Sequence, residues 1–500
     1  MKSKAVVTVT PELRYAGGQV ARGQSATFQG EGVLANNQTI SYKTGGRYTL
    51  KTAFDYVPQM QQSEMYLTFD ARLGKKRMEV PAVKVATGVL ATSELYRQTL
   101  MNAGGCIAPD SFQRVKAQKE EANIKFLVNQ ANLRQSELKN NSVKEFVQML
   151  HKINADREGL NLRNVEIQAY ASPEGGVSFN EKLAGKRQNT SEGYVKQQLK
   201  AARLADANID AHYTAQDWDG FKRLVQVSNI QDKDVILRVL EMYKDPEERE
   251  QQIRNMSEGF RELADGILPE LRRSRLIVNY ETIGRSDEQI KEQYEKDAAV
   301  LSPDELLYYA TLQDTPAKQE AVYKKAAMLY DKDYRAFNNL GTLAFNEGNT
   351  SVANDYFNQA LRKNSEAPEA FANLALMQLK EGKISEAEGQ LAKAIGANGF
   401  NEVLGNLNLA QGNYATAVKS FGDSHSNSAA LAQILTKDYA AAVATLKAVK
   451  NPDALTDYLM AVVLNRQGNV ATAKEYLQKA TSASPELARY AAHDLEFVAR

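Results

Sequence analysis

Hydrophobic and polar positions change their period twice along this chain. From about residue 5 to 100 the period is two. Ala5 to Thr10 is rich in β-branched residues and is expected to form a strand that stops at Pro11. Ile40 and Tyr42, then Gly45 and Gly46, then Tyr48 and Leu50 have the spacing of a hairpin closed by a two-residue glycine turn. Met65, Leu67 and Phe69 alternate with Tyr66, Thr68 and Asp70, and a turn near Gly74 leads into a further run from Met78 to Val85. Roughly six to eight short strands of this kind imply a sandwich-like β-module.

From about 120 to 285 the two periods mix. Ile124 to Val128 reads as a strand. Val143, Phe146, Val147 and Leu150 lie at helical spacing, and Val165, Ile167 and Ala169 alternate as a second strand. A turn at Ser172, Pro173, Glu174 and Gly175 precedes a helix from about Asn180. Between Trp218 and Leu271 the pattern is helical and charged, with Trp218 as a packing anchor, and Leu276 to Val278 reads as a closing strand.

From about 287 onward the period is helical and repeats itself. Leu340, Gly348, Ala353, Phe357 and Ala360 recur 34 residues later as Leu374, Gly382, Ala387, Leu391 and Ala394. One such helix-turn-helix unit cannot bury its apolar face alone, so units stack and leave a curved surface. Gly412, Ala417 and Phe421, then Tyr439, Ala442 and Leu446, then Gly468, Ala473, Leu477 and Ala480 continue the series; Leu306, Tyr323 and Ala326 precede it. Five or six units are expected. This spacing resembles tetratricopeptide repeats. The inner positions of such an array include Asn338, Thr342 and Asn373 here. The lysine that a carboxylate clamp needs near Asn338 is absent, which leaves a groove for extended or helical segments.

The middle region carries a second resemblance. Ala169 to Gly175, followed by Asn180, Leu183 and Arg187, is similar to the motif of OmpA-like C-terminal domains, and the Ser-Pro-Glu-Gly form is similar to that of Bacteroidetes cell-envelope proteins. The resemblance implies an α/β domain that holds peptidoglycan through diaminopimelate, with Ser172, Glu174, Asn180 and Arg187 at the ligand. The family's aspartate falls on Ser172 and its alanine after arginine on Gln188. A hydroxyl offers only a neutral hydrogen bond where a carboxylate pairs with an ammonium. Arg187 is expected to take a ligand carboxylate and Glu174 to supply the missing charge.

Composition narrows the chemistry. Hydrophobic residues make up 43% of the 500 and charged ones 25%, with 62 basic against 61 acidic side chains. Such balance disfavours nucleic acid as a partner. The start of the chain lacks a signal-peptide apolar run, so the chain is either cytoplasmic or recorded after removal of a leader. Cys106 is the only cysteine and pairs with nothing within the chain. No two of the four histidines lie at helical metal spacing, and no P-loop occurs. Ser136 in Ser-Glu-Leu-Lys is read as a helix cap rather than a nucleophile, and Arg272, Arg273 and Arg275 as a solvated edge.

The resulting expectation is a multidomain α+β protein. Residues 1–105 form a β-sandwich-like module. Residues 106–286 form an OmpA-like α/β domain with a helical insertion at about 200–270, and residues 287–500 a tetratricopeptide α-solenoid. Neither catalytic nor metal-ligating residues nor a cofactor are expected. The two resemblances imply a non-enzymatic periplasmic scaffold associated with the outer membrane. Its solenoid would bind protein, and its middle domain would contact peptidoglycan or an outer-membrane protein. One alternative is an accessory subunit of an outer-membrane assembly or secretion complex without peptidoglycan binding; another, less favoured, is a hydrolase of envelope polymers.

Overall fold

The structure, a computed structural model, describes residues 1–230, 233–255 and 261–497. It divides into two compact units, one made of Met1–Asp110 with Ser302–Arg500 and one of Ser111–Leu301. The first and last stretches of the chain therefore share one unit, where the sequence suggests separate modules. The expected boundaries at 105/106 and 286/287 become Asp110/Ser111 and Leu301/Ser302.

The first stretch is one seven-stranded sheet, not two facing ones. Strands Ala5–Tyr15 and Ser63–Leu73 pair antiparallel along their whole length, from Ala5 opposite Leu73 to Tyr15 opposite Ser63. Pro11 does not end the strand. It sits where the neighbour on the other side changes from Ala26–Gln29 to Gln19–Arg22, so its missing N–H is not required, and its carbonyl accepts from Gly23 N–H at 2.8 Å. The expected hairpin at 40–50 reduces to a single bridge between Ser41 and Gly45. The run from Met78 to Val85 is split into Lys76–Met78 and Val83–Thr87 across Pro81.

The last stretch holds six helix pairs among the described residues, from Pro303–Thr311 with Pro316–Leu329 to Ala454–Arg466 with Val470–Ala483, and then Pro485–Ala491. Gly348, Gly382, Gly412 and Gly468 turn between the helices of four pairs in the left-handed region, φ +76° to +83°. Lys437 takes the same place in the pair Asn427–Leu435 and Tyr439–Ala448, with φ +65°. Gly341 lets its helix approach the buried ring of Phe357, and Gly405 does the same for Phe421.

The second unit is built on a four-stranded sheet in the order Ile209–Thr214, Leu160–Tyr170, Arg273–Ile283, Val115–Lys125. The first pair is parallel and the others antiparallel. Helices Asn141–Ala155 and Val177–Ala201 contribute Phe146, Leu150, Val195 and Leu199 to a core with Ile124, Val165, Ile167, Leu276 and Val278 from the sheet. The strand expected at Ile124 to Val128 lies earlier, because Leu127 and Val128 are about half exposed beyond its end. Ser136 lies inside the short helix Gln135–Leu138, and the cap of the next helix is Asn140, which accepts from Val143 N–H. The insertion begins at Trp218 rather than near 200, after the strand Ile209–Thr214. It has its own small core of Phe221, Val225, Ile236, Leu240 and Ile253, with Trp218 packed edge-on to Phe221 at 5.5 Å. Residues 231–232 and 256–260 of the expected insertion lie outside the described residues.

Candidate functional site

The first helices of two neighbouring repeat pairs carry a stripe of polar side chains. In helix Tyr334–Asn346, Asn338, Thr342 and Asn346 recur at i, i+4 and i+8 and so share one face. Asn339 lies beside them, and Asn373 and Lys380 project from helix Pro368–Lys380. Four of these polar side chains, Asn338, Asn339, Thr342 and Asn373, are almost fully buried, at 0–1% exposed. Burial without partners would cost each of them a hydrogen bond's worth of solvation. The partner is the chain itself.

The segment after helix Tyr96–Met101 crosses this stripe in extended form. Asn346 Oδ1 accepts from Gly105 N–H at 2.9 Å and Asn373 Oδ1 from Cys106 N–H at 2.6 Å. The Cys106 carbonyl receives Asn338 Nδ2 at 2.9 Å, Asn373 Nδ2 at 2.9 Å and Thr342 Oγ1 at 3.0 Å. Asn339 grips Ala108 on both sides, accepting from its N–H at 2.7 Å and donating to its carbonyl at 3.1 Å. Asn398 donates to the Ile107 carbonyl at 3.0 Å, and Lys380 Nζ to those of Met101 and Ala103 at 3.0 and 3.3 Å. Arg335 closes the end, donating to the Asp110 carbonyl at 2.9 Å while paired with Asp304 at 2.8 Å. All of these contacts to residues 101–110 are made to main-chain atoms.

Upstream, the grip is apolar. Leu95 is buried among Leu431, Leu455 and Leu459 of the later repeats, and Leu100 among Leu376, Leu379 and Leu407 of the middle ones. Tyr490 donates to the Ala91 carbonyl at 2.9 Å, and Thr92 bonds to the buried Glu496, which also pairs with Arg466. The stretch from Thr92 to Asp110 therefore runs along the groove from the last repeats to the first, opposite to the order of the repeats themselves. Burial shapes its electrostatics: it pushes the Cys106 thiol up to about 12, with Glu369 and Glu402 adding to the effect, and pulls the Lys380 ammonium down to about 8.

The residues expected at a peptidoglycan ligand meet in space, around the loop after strand Leu160–Tyr170, and each makes hydrogen bonds within its own unit. Arg187 is 0% exposed. Its Nε, Nη1 and Nη2 donate to the carbonyls of Gln130 at 3.0 Å, Tyr170 at 2.8 Å and Leu127 at 3.2 Å. Desolvation, then the nearby Arg272, pulls its guanidinium down to about 10. Asn180 Nδ2 holds the loop through the carbonyls of Ser172, Glu174 and Gly175 at 2.9–3.1 Å. Ser172 is buried and donates to Glu174, which pairs with Arg272 at 2.8 Å. The guanidinium expected to take a ligand carboxylate thus donates to three main-chain carbonyls, and Glu174 is paired with Arg272 inside the domain. The expected arginine edge is likewise internally paired, Arg273 with Asp217 at 3.1 Å and Arg275 with Glu121 at 2.7 Å.

Asn339, Asn346, Lys380 and the segment 102–110 escape a reading of the sequence alone. Asparagines spaced along one helix face were the available signal for the first two. Nothing in the small residues from Ala103 to Ala108 marks a groove occupant. No group of three histidine, cysteine, aspartate or glutamate side chains able to hold a metal occurs among the described residues, and no described helix is long and apolar enough to cross a membrane.

No protein with a curated description matches this chain. Among solved structures, a tetratricopeptide repeat protein from Parabacteroides merdae is 18% identical, covering 49% of this chain and 99% of that one, with a TM-score of 0.31. PilF of Pseudomonas aeruginosa is 16% identical over 40% of this chain and 99% of its own, with a TM-score of 0.31. Yeast Tom70 is 10% identical over 73% of this chain and 84% of its own, with a TM-score of 0.27. Residues 338–402 and 458–487 each match a family model for the tetratricopeptide repeat, so the helix pairs that build this groove include tetratricopeptide repeats.

Proposed function

We propose that this chain is a non-enzymatic scaffold that holds protein partners through its repeat array and works in the periplasm in association with the outer membrane. The observation that carries the protein-binding part is the groove itself, which seats an extended polypeptide through its main chain. A curved array of stacked repeats is a surface suited to other chains rather than to chemistry. The envelope setting is supported by the OmpA-like motif around Asn180, Leu183 and Arg187. Of its two versions, an accessory subunit of an outer-membrane complex is favoured over a peptidoglycan anchor, because Arg187 is buried on carbonyls and Glu174 is matched by Arg272.

Affinity isolation of the full chain from envelope fractions tests the scaffold. Outer-membrane or periplasmic proteins are expected to co-purify, and a set made only of cytoplasmic proteins overturns the location. Sedimentation with purified peptidoglycan separates the two versions: the chain is expected to stay in the supernatant, and saturable co-sedimentation restores the anchor.

A further inference from the structure

The groove is already full, and the way it is filled differs along its length. Leu95 and Leu100 bury side chains in the repeat core. From Ala103 to Ala108 the groove's hydrogen bonds are to main-chain atoms, so these bonds do not depend on side-chain identity. Side chains add to the hold at two places: Asn102 donates to Asp453 at 2.6 Å, and Cys106 shares the apolar core of Leu100. The remaining constraints are steric. A Cβ on Gly105 would lie 3.0 Å from Asn373 Oδ1 and Thr342 Cγ2 and 3.2 Å from the Phe345 ring. Cys106 faces Gly399 so closely that a Cβ there would come within 2.9 Å of its Sγ, and Ala108 is 1% exposed. What this half of the groove selects is an extended strand with glycine, then a small residue, then alanine two positions on.

We propose that Ala103–Ala108 is a built-in, exchangeable occupant of the groove formed by Asn338, Asn339, Thr342, Asn346, Asn373 and Lys380, and that a partner protein binds by inserting an extended glycine-small-any-alanine segment in its place. The apolar anchor at Leu95 and Leu100 stays seated during the exchange. The groove side chains pass from one set of main-chain partners to another of the same kind, so the exchange leaves no buried polar group unmatched. The cis segment competes at an effective concentration on the order of millimolar, which keeps the groove closed to weak ligands. This inference rests on the scaffold reading and adds to it a gate and a ligand pattern.

Cys106 reports the gate because it is the only thiol in the chain and lies under the groove side chains. The test uses the full-length wild-type protein and measures the rate of alkylation of Cys106. The probe is a synthetic peptide of residues 102–110 carrying Cys106→Ser, so that it consumes no reagent. Labelling is expected to be slow alone, to rise by about tenfold or more as the peptide reaches millimolar concentration, and to saturate. The same peptide carrying Gly105→Val as well is expected to have no effect. Full-length Asn373→Ala, which loses a donor and an acceptor to Cys106, is expected to label faster without any peptide. Labelling that ignores the peptide, or that rises equally with the valine peptide, overturns the proposal. Envelope proteins that still co-purify in that case keep the scaffold and move its docking surface off the groove.

Discussion

Replacing Gly341 by alanine sets two effects of one methyl group against each other. In a helix interior the change favours folding by about 1 kcal/mol, because glycine has more backbone freedom to lose. Here the new Cβ would fall 2.6 and 2.7 Å from Phe357 Cε1 and Cδ1 and 3.2 Å from the Ala353 carbonyl oxygen. Carbon atoms settle at roughly 3.5–4.0 Å, so the ring must retreat by about 1 Å. Phe357 and Ala353 are both 0% exposed, and a close-packed site has nowhere to send the ring. Overpacking of this kind costs about 1–3 kcal/mol. Gly341→Ala is therefore expected to destabilise the repeats by a net ~1 kcal/mol, the clash less the propensity gain.

The chain itself contains the remedy. One period on, Ala375 stands where Gly341 does, and Leu391 stands where Phe357 does; both are buried. Gly405 and Phe421 return to the first pairing, with a Cβ on Gly405 only 2.5 Å from the ring. Phe357→Leu alone is expected to cost about 1–2 kcal/mol for the space it leaves. In the double variant the alanine methyl enters that space, so the two costs should fall short of their sum by about 1 kcal/mol. Denaturant unfolding of the four proteins, followed by far-ultraviolet circular dichroism, completes the cycle. Gly341→Ala as stable as wild type, or a strictly additive double variant, refutes the packing argument.

Arg187→Met keeps the volume but removes the donors to the carbonyls of Gln130, Tyr170 and Leu127, and should destabilise its unit by about 3 kcal/mol or more. The single tryptophan, Trp218, lies in that unit and reports the loss by fluorescence; an unchanged midpoint argues against a structural arginine. Lys437→Gly relieves a left-handed residue at a place where four other repeats carry glycine, and should raise the denaturation midpoint by about 1 kcal/mol equivalent. Lys380 is held down to about 8 by burial, whereas the unfolded side chain titrates near 10.4. Between those values the unfolded chain binds the proton that the folded one has released, so the contribution of Lys380 to stability rises with pH across that window, against the opposite contribution of the raised Cys106 thiol. Melting temperatures of wild type and Lys380→Met from pH 7 to roughly 10.5 check this, the difference between wild type and variant moving in favour of the wild type as pH rises.

The repeat spacing was legible because it is local: a helix pair needs an apolar face and a tight turn, and Gly348, Ala353 and Phe357 state both within a few turns of chain. Strand Ser63–Leu73 was legible for the same reason, as its alternation is complete within itself. Strand Ile209–Thr214 was not, since it is an edge strand whose mostly exposed side chains carry little hydrophobic pattern. Pro11 misled because a proline breaks a ladder only where its N–H is needed, and the neighbouring strands change over at that residue.

The same division separates the two candidate sites. The sequence by itself placed Asn338, Thr342 and Asn373 at inner positions of the repeats and Asn180 and Arg187 at motif spacing, since both are matters of spacing. Only the tertiary structure decided what those residues do. Burial set Arg187 against the carbonyls of Gln130, Tyr170 and Leu127. It also brought Cys106 to Asn338 and Asn373 across more than two hundred residues of chain. Main-chain hydrogen bonding leaves almost no trace in side-chain identity, so a segment recognised through its backbone is visible only once the chain has folded around it.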